Sequence, residues 1–121
     1  MLTSKEDALN SLTKIVREAK EEEITKKEFE YGISFLLKTF IGKESGVSIV
    51  DLTTTELKSE QNKVKGIDSV AFVELIQILE ESDRLKYRPF SDTAGEVSDR
   101  AKLVESYIRD FKLHEEDRGA Q

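Results

Sequence analysis

The sequence predicts an all-α fold, a compact bundle of about five helices joined by short connections. Three observations lead to this prediction. Apolar residues recur three and four positions apart along most of the chain, which is the spacing of one helix face. Capping boxes led by threonine precede several of these runs. No run of alternating β-branched residues is long enough to build a sheet, since the best one spans only residues 47–50.

The first helix is predicted to begin at Thr3 or Ser4. Thr3 and Glu6 have the spacing of a capping box, in which each side chain bonds the backbone amide of the other residue. The helix is expected to end near the acidic run at residues 21–23. Its apolar stripe comprises Ala8, Leu9, Leu12, Ile15, Val16 and Ala19.

The second helix is predicted to be the most apolar and the central one. Thr25 and Glu28 form its capping box, and Ile24 is placed to pack over this first turn. Gly46 supplies a natural C-terminal stop, because glycine readily adopts the left-handed conformation that ends many helices. The apolar residues in helical register are Phe29, Ile33, Leu36, Leu37, Phe40 and Ile41.

The third helix is expected to be short, beginning after Thr53 and ending near Val64. Thr53 and Glu56 form a capping box, and Leu52 and Leu57 occupy the positions of a hydrophobic staple around it. Gly66 and Ile67 then lead into the next helix.

The fourth helix is predicted to start at Asp68 or Ser69, two residue types that cap helix N-termini well. It is expected to stop near Asp83, because Pro89 disfavours helical backbone at Arg88. Its apolar face is broad enough to suggest burial on two sides. That face comprises Val70, Phe72, Val73, Leu75, Ile76, Ile78 and Leu79.

The fifth helix follows a capping box of Thr93 and Glu96. One-sided apolar positions then continue through Val97, Ala101, Val104, Ile108 and Phe111. We therefore expect one helical domain over residues 1–113. Residues 114–121 are polar and are predicted to form a tail without regular structure.

Composition excludes most enzyme chemistries. The 121 residues include no cysteine and one histidine, so cysteine-based metal sites and Ser-His-Asp catalysis have almost nothing to draw on. The net charge of −6 argues against nucleic acid or an anionic membrane as the main partner. We expect no metal and no catalytic residue, and we expect an interaction domain instead of an enzyme.

Two features contain residue types used in catalysis or metal binding, but neither predicts a site. The acidic run Glu21-Glu22-Glu23 cannot converge on one cation if it is helical, because consecutive helical positions point about 100° apart. His114 falls in the predicted tail, where no fixed geometry would hold a general base. A solvated surface is the simpler interpretation of the acidic run.

Residues 66–70, Gly-Ile-Asp-Ser-Val, resemble the attachment region of acyl carrier proteins. In that family a serine at the start of an acidic helix carries phosphopantetheine, so the resemblance implies Ser69 as the modified residue. The alternative interpretation is that Asp68 and Ser69 are ordinary helix caps. Capping requires fewer assumptions, and a carrier protein with phosphopantetheine on Ser69 is the alternative.

Residues 83–90 contain the best candidate for a docking strip. Leu85 and Tyr87 alternate with Arg84, Lys86 and Arg88. In an extended segment, alternate side chains point to opposite sides, so the two apolar residues would face the bundle and the three cations the solvent. On an otherwise acidic protein, such a strip would bind partners; the alternative is a covering loop with solvated charges.

With these residues in place, the chain resembles the C-terminal domain of BatD-like proteins from bacterial operons. Residues 29–46 are similar to the family's aromatic-led helix with its basic, glycine-terminated turn. Residues 52–57, Leu-Thr-Thr-Thr-Glu-Leu, resemble its Leu-Thr-Thr-x-Glu-Leu signature. Residues 78–87 and 101–111 resemble its Asp-Leu-Val-Lys-Phe segment and its closing helix.

The resemblance implies a parent protein anchored by an upstream membrane helix, with this domain in the cytoplasm at the inner face of the membrane. It also implies gene neighbours that encode MoxR-type AAA+ ATPases and von Willebrand factor A-domain proteins. The family is linked to stress or oxygen tolerance and to assembly roles, without an established catalytic residue. We therefore expect protein partners of these two types, and we expect no cofactor.

Overall fold

A computed structural model describes residues 2–64, 66–88 and 93–113, without the side chains of residues 93 and 94. Within these ranges it contains five α-helices and no strand, which confirms the predicted all-α bundle. The predicted tail, with His114, and Pro89 and Phe90 lie outside the described residues. The helices are α1 (Ser4–Lys20), α2 (Lys26–Ser45), α3 (Thr54–Lys58), α4 (Ser69–Lys86) and α5 (Thr93–Asp110).

Local capping fixes the starts of the first three helices where the sequence predicts them. Thr3, Thr25 and Thr53 each accept a hydrogen bond from the amide three residues on, and the glutamate there bonds the threonine amide. Gly46 ends α2 with a left-handed φ of 78°. The box predicted at Thr93 involves a side chain outside the described residues, although α5 does begin at that residue.

The third helix is shorter than predicted. It ends at Lys58, and residues 61–63 form only a single 3-10 turn before Val64. The Ser59 hydroxyl donates to the Glu56 carbonyl at 2.9 Å, and such a local bond offers the backbone an alternative to further helix. Residues 59–63 also carry no apolar side chain that packing could bury.

Helices α1 and α2 form an antiparallel hairpin that packs closely. Ser4 is hydrogen-bonded to Glu44, so the start of α1 lies beside the end of α2. Near the middle, a Cβ at Gly32 would lie 3.2 Å from Ile15 Cδ1. The glycine that interrupts the apolar pattern of α2 therefore allows Ile15 to pack directly against the helix backbone.

Helices α4 and α5 are antiparallel as well. The Tyr107 hydroxyl donates to the Ala71 carbonyl at 2.7 Å, and Arg100 donates to the Ile78 carbonyl at 3.2 Å. With α2 packed on both α1 and α4, and α5 packed on α1, the four long helices make an up-and-down bundle. The short α3 covers one side of α4, where Lys58 pairs with Glu80 at 3.3 Å.

The core lies between the four long helices, and most of the predicted apolar stripes face it. All six apolar residues predicted on α2 are buried. On α4 the prediction was too broad, because Val70 and Val73 are more than half exposed. The exposed edge of the predicted face thus begins at these two valines, while α4 packs against both α2 and α3. No helix in the described residues is long and apolar enough to cross a membrane.

The connection between α1 and α2 contains a strained residue. Glu22 adopts a φ of 58°, the left-handed region, which costs a residue with a Cβ about 1–2 kcal/mol. We expect Glu22→Gly to raise the free energy of unfolding by about 0.5–1 kcal/mol, since glycine removes this strain but also loses more entropy on folding. Chemical denaturation measures the change. Glu21→Gly is the control, because Glu21 has a φ of −89° and should gain nothing.

Candidate interaction site

The segment predicted as an extended docking strip is mostly helical. Helix α4 continues through Lys86, and Tyr87 is its C-terminal cap. The expected stop near Asp83 was wrong because Pro89 restricts only the residue before it and leaves the preceding turn free. Two pairs three residues apart, Glu81 with Arg84 and Asp83 with Lys86, help to hold that turn. The positive charges of Arg84 and Lys86 also stabilise the C-terminus of α4, because they lie at the negative end of the helix dipole.

Because the turn is helical, the three predicted cations do not form one row. Arg84 is exposed and is hydrogen-bonded to Glu81. Lys86 is largely covered and pairs with Asp83 at 3.0 Å, while Arg88 pairs with Glu96 of α5. The extended geometry proposed for these cations is therefore wrong. Their role in docking stays a prediction.

The two apolar residues of the segment also differ in burial. Leu85 is buried, as predicted. Tyr87 was expected to face the bundle, yet 71% of it is exposed. The cause is again the helical backbone, since positions two apart on a helix point in different directions and cannot both face the core.

Tyr87 lies beside a second exposed tyrosine. The phenol oxygens of Tyr31 and Tyr87 are 3.3 Å apart, a hydrogen bond between residues that are 56 positions apart in the chain. Lys86 Nζ lies 4.4 Å from the centre of the Tyr31 ring, and Lys27 Nζ lies 5.0 Å from that of Tyr87. We call these four residues the aromatic–cation surface. Each ring thus has one lysine ammonium over it.

The electrostatics of this surface follow from its contacts. The hydrogen bond with Tyr31 raises the pKa of Tyr87, while the charges of Lys27 and Lys86 oppose that rise. Asp83 is the ion-pair partner of Lys86. Burial raises the pKa of Asp83, but hydrogen bonds from Thr54 and Lys86 outweigh the effect of burial, so the pKa is lowered overall. Tyr87 is therefore neutral and Asp83 is charged at neutral pH.

A buried polar network positions the two tyrosines. Glu30 of α2 is fully buried next to Tyr31, and its Oε1 accepts from the Ser82 hydroxyl of α4 at 2.7 Å. Arg100 of α5 donates to both Glu30 carboxylate oxygens, at 3.0 and 3.2 Å, and to Ser82 at 2.5 Å. The network fixes the register of α2 against α4, and hence places Tyr31 opposite Tyr87.

Sequence reasoning missed Lys27, Tyr31 and the buried network. A signal for the first two exists, because Lys27, Tyr31 and Phe35 are spaced four apart on the side of α2 opposite its apolar stripe. Phe35 is also exposed. Aromatic residues on the solvent side of an amphipathic helix can indicate a binding surface. No local signal indicates that Glu30, Ser82 and Arg100 meet.

The other predicted sites lie elsewhere. Ser69 is exposed in the first turn of α4, and Asp68 is the cap, its Oδ2 accepting from the amides of Val70 and Ala71. Capping by Asp68 is thus confirmed, and modification of Ser69 stays a prediction. Residues 21–23 are exposed at the end of α1. Within the described residues, no group of three His, Cys, Asp or Glu side chains could hold a metal ion.

Comparison with known proteins adds no relative to this geometry. No family model matches the chain, and no curated protein or solved structure is detectably similar to it.

Proposed function

We propose that the chain is a non-enzymatic interaction domain that binds a protein partner through the aromatic–cation surface. The proposal depends on one observation, the exposed tyrosine pair with a lysine over each ring. Tyrosine is enriched among the residues that dominate binding energy, because it supplies large contact area at low cost in side-chain entropy. The shared hydrogen bond reduces that cost further, since both rings are ordered before binding.

The charges indicate the kind of segment that would bind. Lys27 and Lys86 flank the rings, and Lys38 lies close enough to Lys86 for that charge, after burial, to lower the pKa of Lys38. A carboxylate of a partner would meet Lys27, which is exposed, while the largely covered Lys86 and the partly buried Lys38 add positive potential behind the rings. An aromatic or aliphatic side chain would pack on the tyrosine rings. An acidic segment with an apolar anchor therefore fits the surface best.

The resemblance to BatD-like proteins extends the proposal to a place and to partner proteins. On this proposal, the domain belongs to a membrane-anchored parent and works at the cytoplasmic face. Its partners are then a MoxR-type ATPase or a von Willebrand factor A-domain protein of the same operon. The support is the ordered set of sequence motifs in residues 29–57 and 78–111.

The proposal is tested by measuring the affinity of the chain for the MoxR-type ATPase and for the von Willebrand factor A-domain protein. We expect Tyr31→Ser with Tyr87→Ser to weaken the complex by about thirtyfold or more, the usual effect of losing a dominant contact. Isothermal titration calorimetry measures the affinity, and circular dichroism verifies the fold. Leu2→Ser is the control, because Leu2 is also about half exposed but lies at the start of α1, beside the far end of α2, where Ser4 bonds Glu44.

A second pair of variants distinguishes this surface from the predicted strip. Lys27→Glu should weaken binding, because it places a carboxylate beside the Tyr87 ring. Arg84→Glu should have little effect, since Arg84 contacts Glu81 and neither ring. Unchanged affinity in the double tyrosine variant, or no binding to either protein, would contradict the proposal.

A further inference from the structure

A groove separates the first half of α4 from the last half of α5, at the opposite end of α4 from the aromatic–cation surface. It is open to solvent and encloses about 450 Å³. Its floor includes Ala71, Tyr107 and Phe111, where the Tyr107 hydroxyl bonds the Ala71 carbonyl. The two helices are thus joined by a hydrogen bond at the floor of the groove.

The walls of the groove expose large apolar side chains, whereas the solvated face of a helix is usually polar. Val70 on α4 is 63% exposed, and Leu103 on α5 is 50% exposed. Val73, one turn further along α4, is also more than half exposed. Val70 and Leu103 lie on two different helices and line one groove, so they form a patch and not scattered single exposures.

The rim of the groove is acidic. Asp68, Glu74 and Asp110 line it, against the single cation Lys112. Within the described residues, neither Glu74 nor Asp110 forms an ion pair. Glu74 also affects the floor, because burial first and then the Glu74 charge raise the pKa of Tyr107.

We infer that this groove is a second docking site, which binds a basic amphipathic helix of a protein partner. The apolar face of such a helix would cover Val70 and Leu103, and its lysines or arginines would meet Glu74 and Asp110. The acidic rim disfavours nucleic acid and anionic membranes for the same electrostatic reason. It also disfavours the chain's own following residues, which include Glu115, Glu116 and Asp117.

This inference goes beyond the proposed function, because it concerns another surface with the opposite charge. The aromatic–cation surface fits an acidic segment, whereas the groove fits a basic one. The tests are therefore independent, since the variants of one surface leave the other intact.

The test is an NMR titration of the full chain with a helical peptide of about 18 residues, five turns, made of leucine and lysine. We expect amide shifts concentrated in residues 70–74 and 103–111. The same peptide with glutamate in place of lysine should not bind. Val70→Ser with Leu103→Ser should weaken binding by about tenfold or more, and both residues are exposed enough for the fold to tolerate the change.

Charge controls separate the groove from general attraction to an acidic protein. Glu74→Gln with Asp110→Asn should weaken binding, whereas Glu21→Gln with Glu22→Gln removes the same charge elsewhere and should not. Tyr31→Ser with Tyr87→Ser should leave peptide binding unchanged. Shifts spread over the whole acidic surface, equal losses in both charge variants, or a groove covered by a second copy of the chain would overturn the inference.

Discussion

Replacing Arg100 with methionine should lower the free energy of unfolding by about 3–5 kcal/mol, the usual cost of removing one partner of a buried ion pair. The reason is the Glu30 carboxylate, which is fully buried and receives hydrogen bonds from Arg100 at both oxygens. Without the guanidinium, Ser82 would still bond one of the two carboxylate oxygens. Urea denaturation followed by circular dichroism measures the loss.

A double variant tests whether the loss arises from the isolated charge. Glu30→Leu combined with Arg100→Met removes both partners, and we expect it to be more stable than Arg100→Met alone, because no buried charge is left uncompensated. Arg109→Met is the control, since Arg109 is exposed and pairs with Glu105 at the surface. A double variant no more stable than the single one would show that packing, not charge, explains the effect.

Truncation of the core should have an effect of similar size. We expect Leu36→Ala or Ile76→Ala to lower the free energy of unfolding by about 2–5 kcal/mol, since each large side chain is buried and its removal leaves a cavity. The two residues lie on α2 and α4, so the two variants test both sides of the core.

Glu22→Ala serves as the control for these two variants. Glu22 is exposed, and alanine keeps a Cβ at its left-handed φ, so the change should stay within about 0.5 kcal/mol of neutral. Equal effects of Leu36→Ala and Glu22→Ala in denaturant would contradict the assignment of the buried helix faces.

Features set by local sequence were the ones that sequence could predict. A capping box joins residues three apart, so Thr3, Thr25 and Thr53 are visible as helix starts without knowledge of the fold. The end of α2 at Gly46 can be predicted in the same way, because the left-handed backbone there depends only on the missing side chain of the glycine itself. The apolar stripe of α2 was also correct, since its residues repeat at helical spacing.

The candidate site depends on contacts that no local pattern encodes. Tyr31 and Tyr87 meet only because α2 and α4 pack side by side, and Arg100 reaches Glu30 across 70 positions of sequence. The exposure of Val70 likewise depends on how α5 lies beside α4, where the two helices leave a groove. Alternation of charged and apolar residues before Pro89 favoured an extended strip, but side-chain pairs and the free helical turn outweighed it.

The fourth helix separates the two proposed surfaces by a fixed distance. Val70 and Tyr87 are 17 positions apart on one unbroken helix, which corresponds to about 25 Å at the usual rise of 1.5 Å per residue. A partner with an acidic and a basic segment could occupy both surfaces only if its linker spans that distance. Its second contact would then form at high effective concentration, so two weak sites would hold it far longer than either alone.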